Sequence, residues 1–309
     1  MHPRVNQAVY RWQAARAARW EAAVAARLPL GPDGVVRGAG PIALDAPGDR
    51  GALVLHGFGD TPESVAAVAH GLHAGGWTVR APLLAGHGRD LRTFAASRAE
   101  DWLASARSAY AELRARRARV AVVAQSMGGA LAAVVAAEAG RELPALVLLA
   151  PYLAAPADVR WGARLAPLLA LGVPYLSSDG GARSMHDPEA RRVSLGPKVV
   201  TPRLVGELAR AVAWGRRAIP RVAAPTLVVA SRQDNRIGPR AMAAAVREIG
   251  AAVPGAARPE LVWLDGCGHV IAADYEREAV AGHAARWLDA HVPAEAPADA
   301  PTPPPAAHA

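Results

Sequence analysis

The chain has 309 residues, of which 52% are hydrophobic, enough to build one large domain with an insertion or two domains. Its formal net charge of +8 is spread along the sequence and carried almost entirely by arginine, which argues against nucleic acid as a partner. The single cysteine, Cys267, excludes an internal disulfide and a cysteine metal cage. It is compatible with a reducing compartment, and we expect a cytoplasmic location.

Residues 1–30 are predicted to form an N-terminal helix that ends before Gly31. Arginines at short intervals leave no uninterrupted apolar region, so a secretory signal is not expected. We expect the helix to pack on the rest of the protein, and contact with a membrane surface or a partner is the alternative. Its apolar side chains lie on one broad stripe, which consists of Val5, Val9, Trp12, Trp20 and Val24.

Short apolar runs alternate with helical stretches between residues 31 and 292. This pattern predicts an α/β fold with a mostly parallel central sheet and helices on both faces. Strands are predicted at 41–44, 52–55, 78–81, 120–124, 146–150, 226–230 and 261–264. Helices are predicted at 62–75, 99–117 and 240–249.

One long interval breaks this alternation. Residues 152–220 are helix-rich and interrupted by several prolines, which favours an inserted helical cap that divides the core into 31–151 and 221–292.

The end of the chain has a different composition. Residues 293–309 are mostly proline and alanine, and such a segment buries too little apolar surface to fold, so we expect a disordered tail.

The sequence VAVVAQSMGG at 120–129 predicts a buried strand that turns at once into a helix. Ser126 lies on that turn, between small residues. A turn this sharp strains the backbone of its central residue and leaves little room for neighbouring side chains, which fits Ala124, Gly128 and Gly129. The segment is therefore interpreted as a nucleophile elbow carrying Ser126.

Two backbone N–H groups are candidates for an oxyanion hole. Phe58 follows the strand at 52–55 in a glycine-flanked turn that opens a helix, and Met127 follows Ser126 directly. His56 and His87 are also near predicted strand ends. We expect both to be structural, with His56 holding the turn by hydrogen bonds.

An acid and a base follow two later strands. Asp234 lies after the strand at 226–230, and His269 lies in a glycine-containing loop after the strand at 261–264. Each would reach the same sheet edge as Ser126. The order Ser126, Asp234, His269 predicts a catalytic triad, with Asp265 as the rival carboxylate.

Taken together, these motifs resemble the α/β-hydrolase superfamily, in particular its bacterial carboxylesterase and monoacylglycerol lipase branch. The resemblance covers residues 51–290, with Ala124 in place of the first elbow glycine. It implies a serine esterase without a cofactor, in which Ser126, Asp234 and His269 match the triad and Phe58 and Met127 the oxyanion donors. The motifs are HGFG at 56–59, LLAGHG at 83–88, QSMGG at 125–129, RQDNRI at 232–237 and GHVI at 268–271.

The expected activity is hydrolysis of carboxylic esters with short to medium acyl chains, or of monoacylglycerols, through an acyl-enzyme on Ser126. A thioesterase, an acyltransferase or a peptidase using the same serine remains open, as does a non-catalytic binding protein. The expected partner is a small-molecule ester, with contact to a lipid surface and no obligate protein partner.

The predicted cap carries ten basic and five acidic residues, so it holds a net +5 of the chain's +8. Its apolar helical run includes Leu168 and Leu169, which we predict to line an acyl pocket above Ser126. Packing of this run on the sheet domain is the alternative. With the apolar side facing the serine and the basic side facing solvent, the substrate would be an uncharged or anionic ester.

Overall fold

A computed structural model of the chain describes residues 3–154 and 157–294. Apart from its first two residues, the predicted tail at 293–309 lies outside this range. The main sheet has seven strands, with the order β1-β3-β2-β4-β5-β8-β9, and only β1 runs antiparallel to its neighbour. The mostly parallel sheet predicted from the sequence is confirmed. Its strands are β1 (Ile42–Leu44), β2 (Arg50–Leu55), β3 (Thr78–Ala81), β4 (Arg119–Gln125), β5 (Leu146–Leu149), β8 (Thr226–Ser231) and β9 (Glu260–Leu264), and a separate pair consists of β6 (Leu176–Ser177) and β7 (Val199–Val200).

Helices cover both faces of the main sheet. α2 and α10 contact each other on one face, and α4, α5 and α8 contact one another on the other face. The strands between these layers are short and almost wholly apolar because both of their faces are buried. The helices are α1 (Pro3–Arg27), α2 (Ala66–Ala74), α3 (Leu91–Ala96), α4 (Ala99–Arg114), α5 (Met127–Ala139), α6 (Ala157–Leu169), α7 (Pro188–Val193), α8 (Pro202–Ala218), α9 (Pro239–Glu248) and α10 (Arg277–His291).

Local sequence explains where several helices begin. The Asp90 carboxylate accepts hydrogen bonds from the first N–H groups of α3, and the Asp187 carboxylate does the same for α7. The Thr201 hydroxyl accepts from Leu204 N at 3.1 Å, and Pro202 then starts α8 with the backbone angle that a first turn needs.

The first helix contacts both the core and the interval predicted to be a cap. Val24 is buried, whereas Trp12, on the same predicted stripe, is 52% exposed. Glu21 pairs with Arg92 of α3 at 2.8 Å and accepts a hydrogen bond from the Tyr175 hydroxyl at 3.1 Å. The second half of α1 therefore ties residues on either side of the predicted cap boundary.

The interval between β5 and β8 contains α6, β6, α7, β7 and α8. α8 contacts α5 so closely that a Cβ on Gly215 would lie 2.8 Å from the Cα of Ala130. The helix layer on that side of the sheet thus includes the last helix of the interval. The preceding segments line a cavity together with Ser126, at the carboxyl end of the sheet.

Candidate active site

Ser126 joins β4 to α5 at φ 53° and ψ −120°, a left-handed backbone conformation that is rare for a residue with a side chain. The two glycines that follow in α5, Gly128 and Gly129, have no space for side chains. A Cβ on Gly128 would lie 2.6 Å from the carbonyl oxygen of His56, and one on Gly129 would lie 2.8 Å from the Cβ of Pro151. The predicted sharp turn at Ser126 is present, and Gly128 and Gly129 are glycines because the chain passes too close for anything larger.

Two short hydrogen bonds connect Ser126, His269 and Asp234. The Ser126 Oγ lies 2.8 Å from His269 Nε2, and His269 Nδ1 lies 2.8 Å from Asp234 Oδ2. The three residues follow β4, β9 and β8, whose carboxyl ends share one sheet edge. The structure therefore brings together the three side chains that the sequence placed in a triad.

The buried Asp234 carboxylate is held from both sides. Its Oδ1 accepts hydrogen bonds from the backbone N–H groups of Arg236 at 2.7 Å and Ile237 at 3.0 Å. Burial acts to raise the pKa of Asp234, but the His269 ring and these donors outweigh burial, and the pKa lies below its usual value. Its rival, Asp265, has a 76% exposed side chain and faces Arg232 at 3.7 Å.

The His269 loop is fixed by a residue that the sequence analysis missed. The Asp274 carboxylate is fully buried and accepts a hydrogen bond from Gly268 N at 2.8 Å. It also accepts from His186 N at 2.7 Å, Asp187 N at 2.8 Å and Tyr275 N at 2.9 Å. Asp274 thereby joins the loop that carries His269 to the segment preceding α7. A carboxylate five residues beyond His269 is the only sequence signal for this role.

The loop after β2 approaches Ser126 from the opposite side. A Cβ on Gly57 would lie 3.2 Å from the Cβ of Ser126, so the turn that carries Phe58 is adjacent to the serine. Within the described part of the chain, the backbone N–H groups of Phe58 and Met127 donate to no protein acceptor. Both residues predicted to supply oxyanion donors therefore lie beside Ser126.

His56 holds this loop in place. Its Nδ1–H donates to the carbonyl oxygen of Gly57 at 2.9 Å, and its Nε2 accepts from Leu84 N at 3.1 Å. Burial lowers the pKa of His56 to about 4. The pKa of His87 is lowered to about 3, first by burial and next by the charge of the neighbouring His56. Both rings are neutral at physiological pH and lie in the packing around the loop.

A cavity of about 380 Å³ opens above Ser126 and His269. The sequence predicted Leu168 and Leu169 on its wall, but the structure places neither there, and Leu168 is 67% exposed. The reason is that α6 packs against α8 through small residues: a Cβ on Gly162 would be 3.4 Å from Val205. With that side turned inward, Leu168 faces solvent and Leu169 is half-buried outside the cavity wall. The apolar side chains that do line the cavity are Phe58, Tyr152, Leu176, Met185, Val200, Val205, Leu208 and Val270.

Charged side chains also line this cavity, contrary to the expectation that the basic side of the cap faces solvent. Arg191, Lys198 and Arg236 contribute to the wall, together with Asp179 and Asp60. Burial raises the pKa of Asp60 to about 6, above its ordinary value near 4. No pattern in the sequence indicated which basic residues would turn inward.

Glu63 lies three residues beyond Asp60, in the short 3-10 helix Pro62–Val65. Burial raises the pKa of Glu63 to about 7, and the nearby charge of Asp60 adds to this effect.

In the described ranges, 3–154 and 157–294, no group of three or more histidine, cysteine or acidic residues is arranged to hold a metal ion. None of the helices in those ranges is long and apolar enough to span a bilayer.

A parallel sheet with a strained serine after its fourth strand, followed by an acid and a histidine after later strands, defines an α/β-hydrolase. The comparisons agree. The chain belongs to the family described as serine aminopeptidase S33, whose model matches residues 49–276.

Several known proteins are similar along most of their length. A thermostable monoacylglycerol lipase of Bacillus sp. (strain H-257) is 27% identical over 264 residues, which cover 83% of this chain and 97% of the lipase. A carboxylesterase of Bacillus subtilis (strain 168) is 24% identical over 75% of this chain and 89% of its own. A solved structure described with LipS and LipT, two metagenome-derived lipolytic enzymes, has a TM-score of 0.75 and 26% identity, covering 83% of this chain and 100% of that one.

Proposed function

We propose that the chain is a serine hydrolase of carboxylic esters with Ser126 as the nucleophile. The observation that carries this proposal is the continuous hydrogen-bonded path from Ser126 Oγ through His269 to Asp234, at the base of a partly enclosed cavity. The relatives named monoacylglycerol lipase and carboxylesterase support the same reaction class.

In this mechanism His269 removes the Ser126 proton as Oγ attacks the ester carbonyl carbon. Nε2 is the base because Nδ1–H donates to Asp234. The Asp234 carboxylate stabilises the imidazolium that forms and fixes its orientation. His269 then passes the proton to the leaving alkoxide, and water attacks the acyl-enzyme by the same route.

The negative charge on the substrate oxygen is bound by the N–H groups of Phe58 and Met127. Met127 is the first residue of α5, so the positive end of the helix dipole adds to the stabilisation. Each donor contributes about 3 kcal/mol in the transition state. His56 holds the Phe58 loop and has no direct part in the chemistry.

The cavity supports a short to medium acyl ester or a monoacylglycerol as substrate. Its volume of about 380 Å³ lies in the lower part of the range for small-molecule sites. Residues 152–220 form the cap in this proposal, since Tyr152, Leu176, Val200 and Val205 supply apolar wall above Ser126. No step of the mechanism needs a cofactor.

We also propose contact with a lipid surface through an outer apolar patch, defined as Trp161, Leu165, Leu168 and Leu171, all between 46% and 72% exposed. The Arg164 guanidinium lies 5.3 Å from the Trp161 ring centre, and mixed aromatic and basic groups of this kind favour the membrane interface. Leu168→Asp should reduce co-sedimentation with anionic phospholipid vesicles. The control Val193→Asp changes an exposed side chain on α7, outside the patch, and should not reduce it.

A fluorophosphonate probe tests the function directly. We expect wild-type protein to be labelled at Ser126 and to hydrolyse p-nitrophenyl butyrate. Ser126→Ala should lose both properties, with a residual rate about 10³ to 10⁴ times the uncatalysed one. Ser108→Ala is the control, because Ser108 lies on the exposed side of α4, where its hydroxyl donates to Glu112. Folded wild-type protein that is neither labelled nor active would refute the proposal and favour a binding protein.

Peptide hydrolysis is the second candidate because the family description names an aminopeptidase. An aminopeptidase must accept the substrate's terminal ammonium group near its serine, whereas three cationic side chains line this cavity. We therefore expect no cleavage of leucine p-nitroanilide by protein that hydrolyses p-nitrophenyl butyrate. Assays with thioester substrates and with alcohol acceptors test the two remaining alternatives, a thioesterase and an acyltransferase. We also propose a cytoplasmic location for the protein.

A further inference from the structure

Three cations on the cavity wall have no carboxylate partner. Among the ion pairs of the described residues, all within 4.0 Å, none includes Arg191, Lys198 or Arg236. The adjacent Arg192, in contrast, pairs with Glu189 at the surface. Other arginines of the described residues are also outside these ion pairs, and what distinguishes Arg191, Lys198 and Arg236 is that they line the cavity.

Backbone carbonyl oxygens hold these cations in position. Arg191 donates to the carbonyl oxygens of Met185 at 2.5 Å and His186 at 2.8 Å. Lys198 Nζ donates to the carbonyl oxygen of Arg191 at 3.0 Å. Arg236 likewise donates to the carbonyl oxygen of Ser178, at 3.1 Å. Carbonyl oxygens orient a cation without cancelling its charge, so donor capacity remains on all three side chains.

Lys198 has two further unusual properties. It is the only lysine among the chain's 35 basic residues. Its backbone φ is 57°, and the only other described non-glycine residues with positive φ are Ser126 and Ala150. Such strain concentrates at sites where the position of a side chain matters for function. The lysine is therefore held on the wall at an energetic cost.

The two carboxylates on the wall do not neutralise this cluster. Asp179 accepts from Gly181 N at 2.9 Å, and its charge acts on Arg27, whose pKa burial lowers and Asp179 partly restores. Asp60 lies on the opposite loop, beside the candidate oxyanion donor Phe58. Neither forms an ion pair with a wall cation, so the side of the cavity lined by Arg191, Lys198 and Arg236 keeps a positive potential.

We propose that the side of the cavity formed by Arg191 and Lys198 of the cap and Arg236 of the loop after β8 is a subsite for an anionic group of the substrate, either a carboxylate or a phosphate. The inference rests on the proposed ester hydrolase function and specifies its substrate class. In a partly enclosed cavity, attraction between an anion and fixed cations is screened far less than at the surface. Charge-assisted hydrogen bonds from guanidinium and ammonium groups then select the anionic ester over a neutral one of equal shape.

Matched substrates test this with two arms, because the anion could sit on the acyl or on the alcohol side of the ester. The acyl arm compares p-nitrophenyl hemiglutarate with p-nitrophenyl 5-methylhexanoate, its neutral counterpart in shape. The alcohol arm compares 4-carboxyphenyl butyrate with 4-carbamoylphenyl butyrate. We expect kcat/KM to favour the anionic member in at least one arm by about tenfold, the value of one charge-assisted hydrogen bond.

Two lysine variants and a surface control complete the experiment. Lys198→Met should reduce the anionic-to-neutral ratio of kcat/KM by about tenfold, and Lys198→Arg should retain most of the ratio. Arg192→Met also removes one unit of positive charge, but from the surface position next to Arg191. It should leave the anionic-to-neutral ratio of kcat/KM within about twofold of wild type. An equal drop in Lys198→Met and Arg192→Met would overturn the subsite, since it would reflect the general field of the cap.

The result also separates this inference from the proposed function. Ser126-dependent hydrolysis of the neutral esters without an anionic preference in either arm would refute the subsite and leave the hydrolase standing. If no ester is cleaved, calorimetry on Ser126→Ala with each substrate still measures the preference. Tighter binding of the anionic member, abolished by Lys198→Met, supports the subsite, and equal binding of both members overturns it.

Discussion

Replacing Asp274 with alanine should destabilise the protein severely. The carboxylate is fully buried and accepts four backbone hydrogen bonds, all between 2.7 and 2.9 Å. A hydrogen bond to a charged acceptor is worth about 1.5 to 3 kcal/mol, and water entering the vacated space would restore some of the four. We therefore expect the free energy of unfolding to fall by about 4 kcal/mol or more, at the high end for a single substitution.

Urea unfolding followed by tryptophan fluorescence measures this loss, with extrapolation to water. Asp274→Asn, which keeps the shape and one acceptor oxygen, should lose about half as much. Asp45→Ala is the control, because the exposed Asp45 pairs with Arg80 at the surface and its loss should be undetectable. A change below about 1 kcal/mol in Asp274→Ala would show that the four donors find other acceptors and that the assigned role is mistaken.

Three further predictions address the triad, the elbow and the buried acid. Asp234→Asn should lower kcat by about 10⁴ because it favours the wrong imidazole tautomer, whereas Asp265→Asn should change it little, and comparable losses in steady-state assays would show the wrong carboxylate was chosen. Gly128→Ala should abolish activity or folding, because its Cβ would lie 2.6 Å from a carbonyl oxygen, as judged by circular dichroism and probe labelling. The raised pKa of Asp60, about 6, means that the native state binds this proton more tightly than the unfolded chain, so stability is lost as the pH rises from about 4 to 6. Asp60→Asn should therefore be stabilised relative to wild type by at most about 3 kcal/mol at pH 7, with the difference vanishing near pH 4, and a pH-independent difference in urea midpoints would contradict this.

The features that the sequence predicted well depend on local constraints. A strand buried on both faces must be short and apolar, and this placed β3 at its observed bounds and β4 within one residue at each end. The elbow was recognisable because Gly128 and Gly129, which close contacts leave no room to replace, lie within three residues of Ser126 in the sequence. Because strands of a parallel sheet end at one edge, their order also located Asp234 and His269 near the serine.

The features that the sequence did not reveal depend on contacts between distant segments. An amphipathic helix has a definite apolar face, but its sequence does not say whether small or large residues meet the next helix, and so Leu168 was placed on the wrong side of α6. The cations of the wall are held by backbone carbonyl oxygens, which leave no trace in side-chain patterns. The same holds for Asp274, whose four donors are backbone groups of any sequence.

The solitary lysine of the chain also has a practical consequence. Amine-selective reagents can react with only two places on the protein, the chain's own N-terminal amine and Lys198. Because Lys198 borders the cavity that contains Ser126, modification by a small aldehyde or active ester would read out whether that space is occupied. Coupling through amines to a biosensor surface would leave the N-terminus as the main tether. A ligand that enters the cavity could then be followed by its protection of a single side chain against acylation, read from intact mass alone.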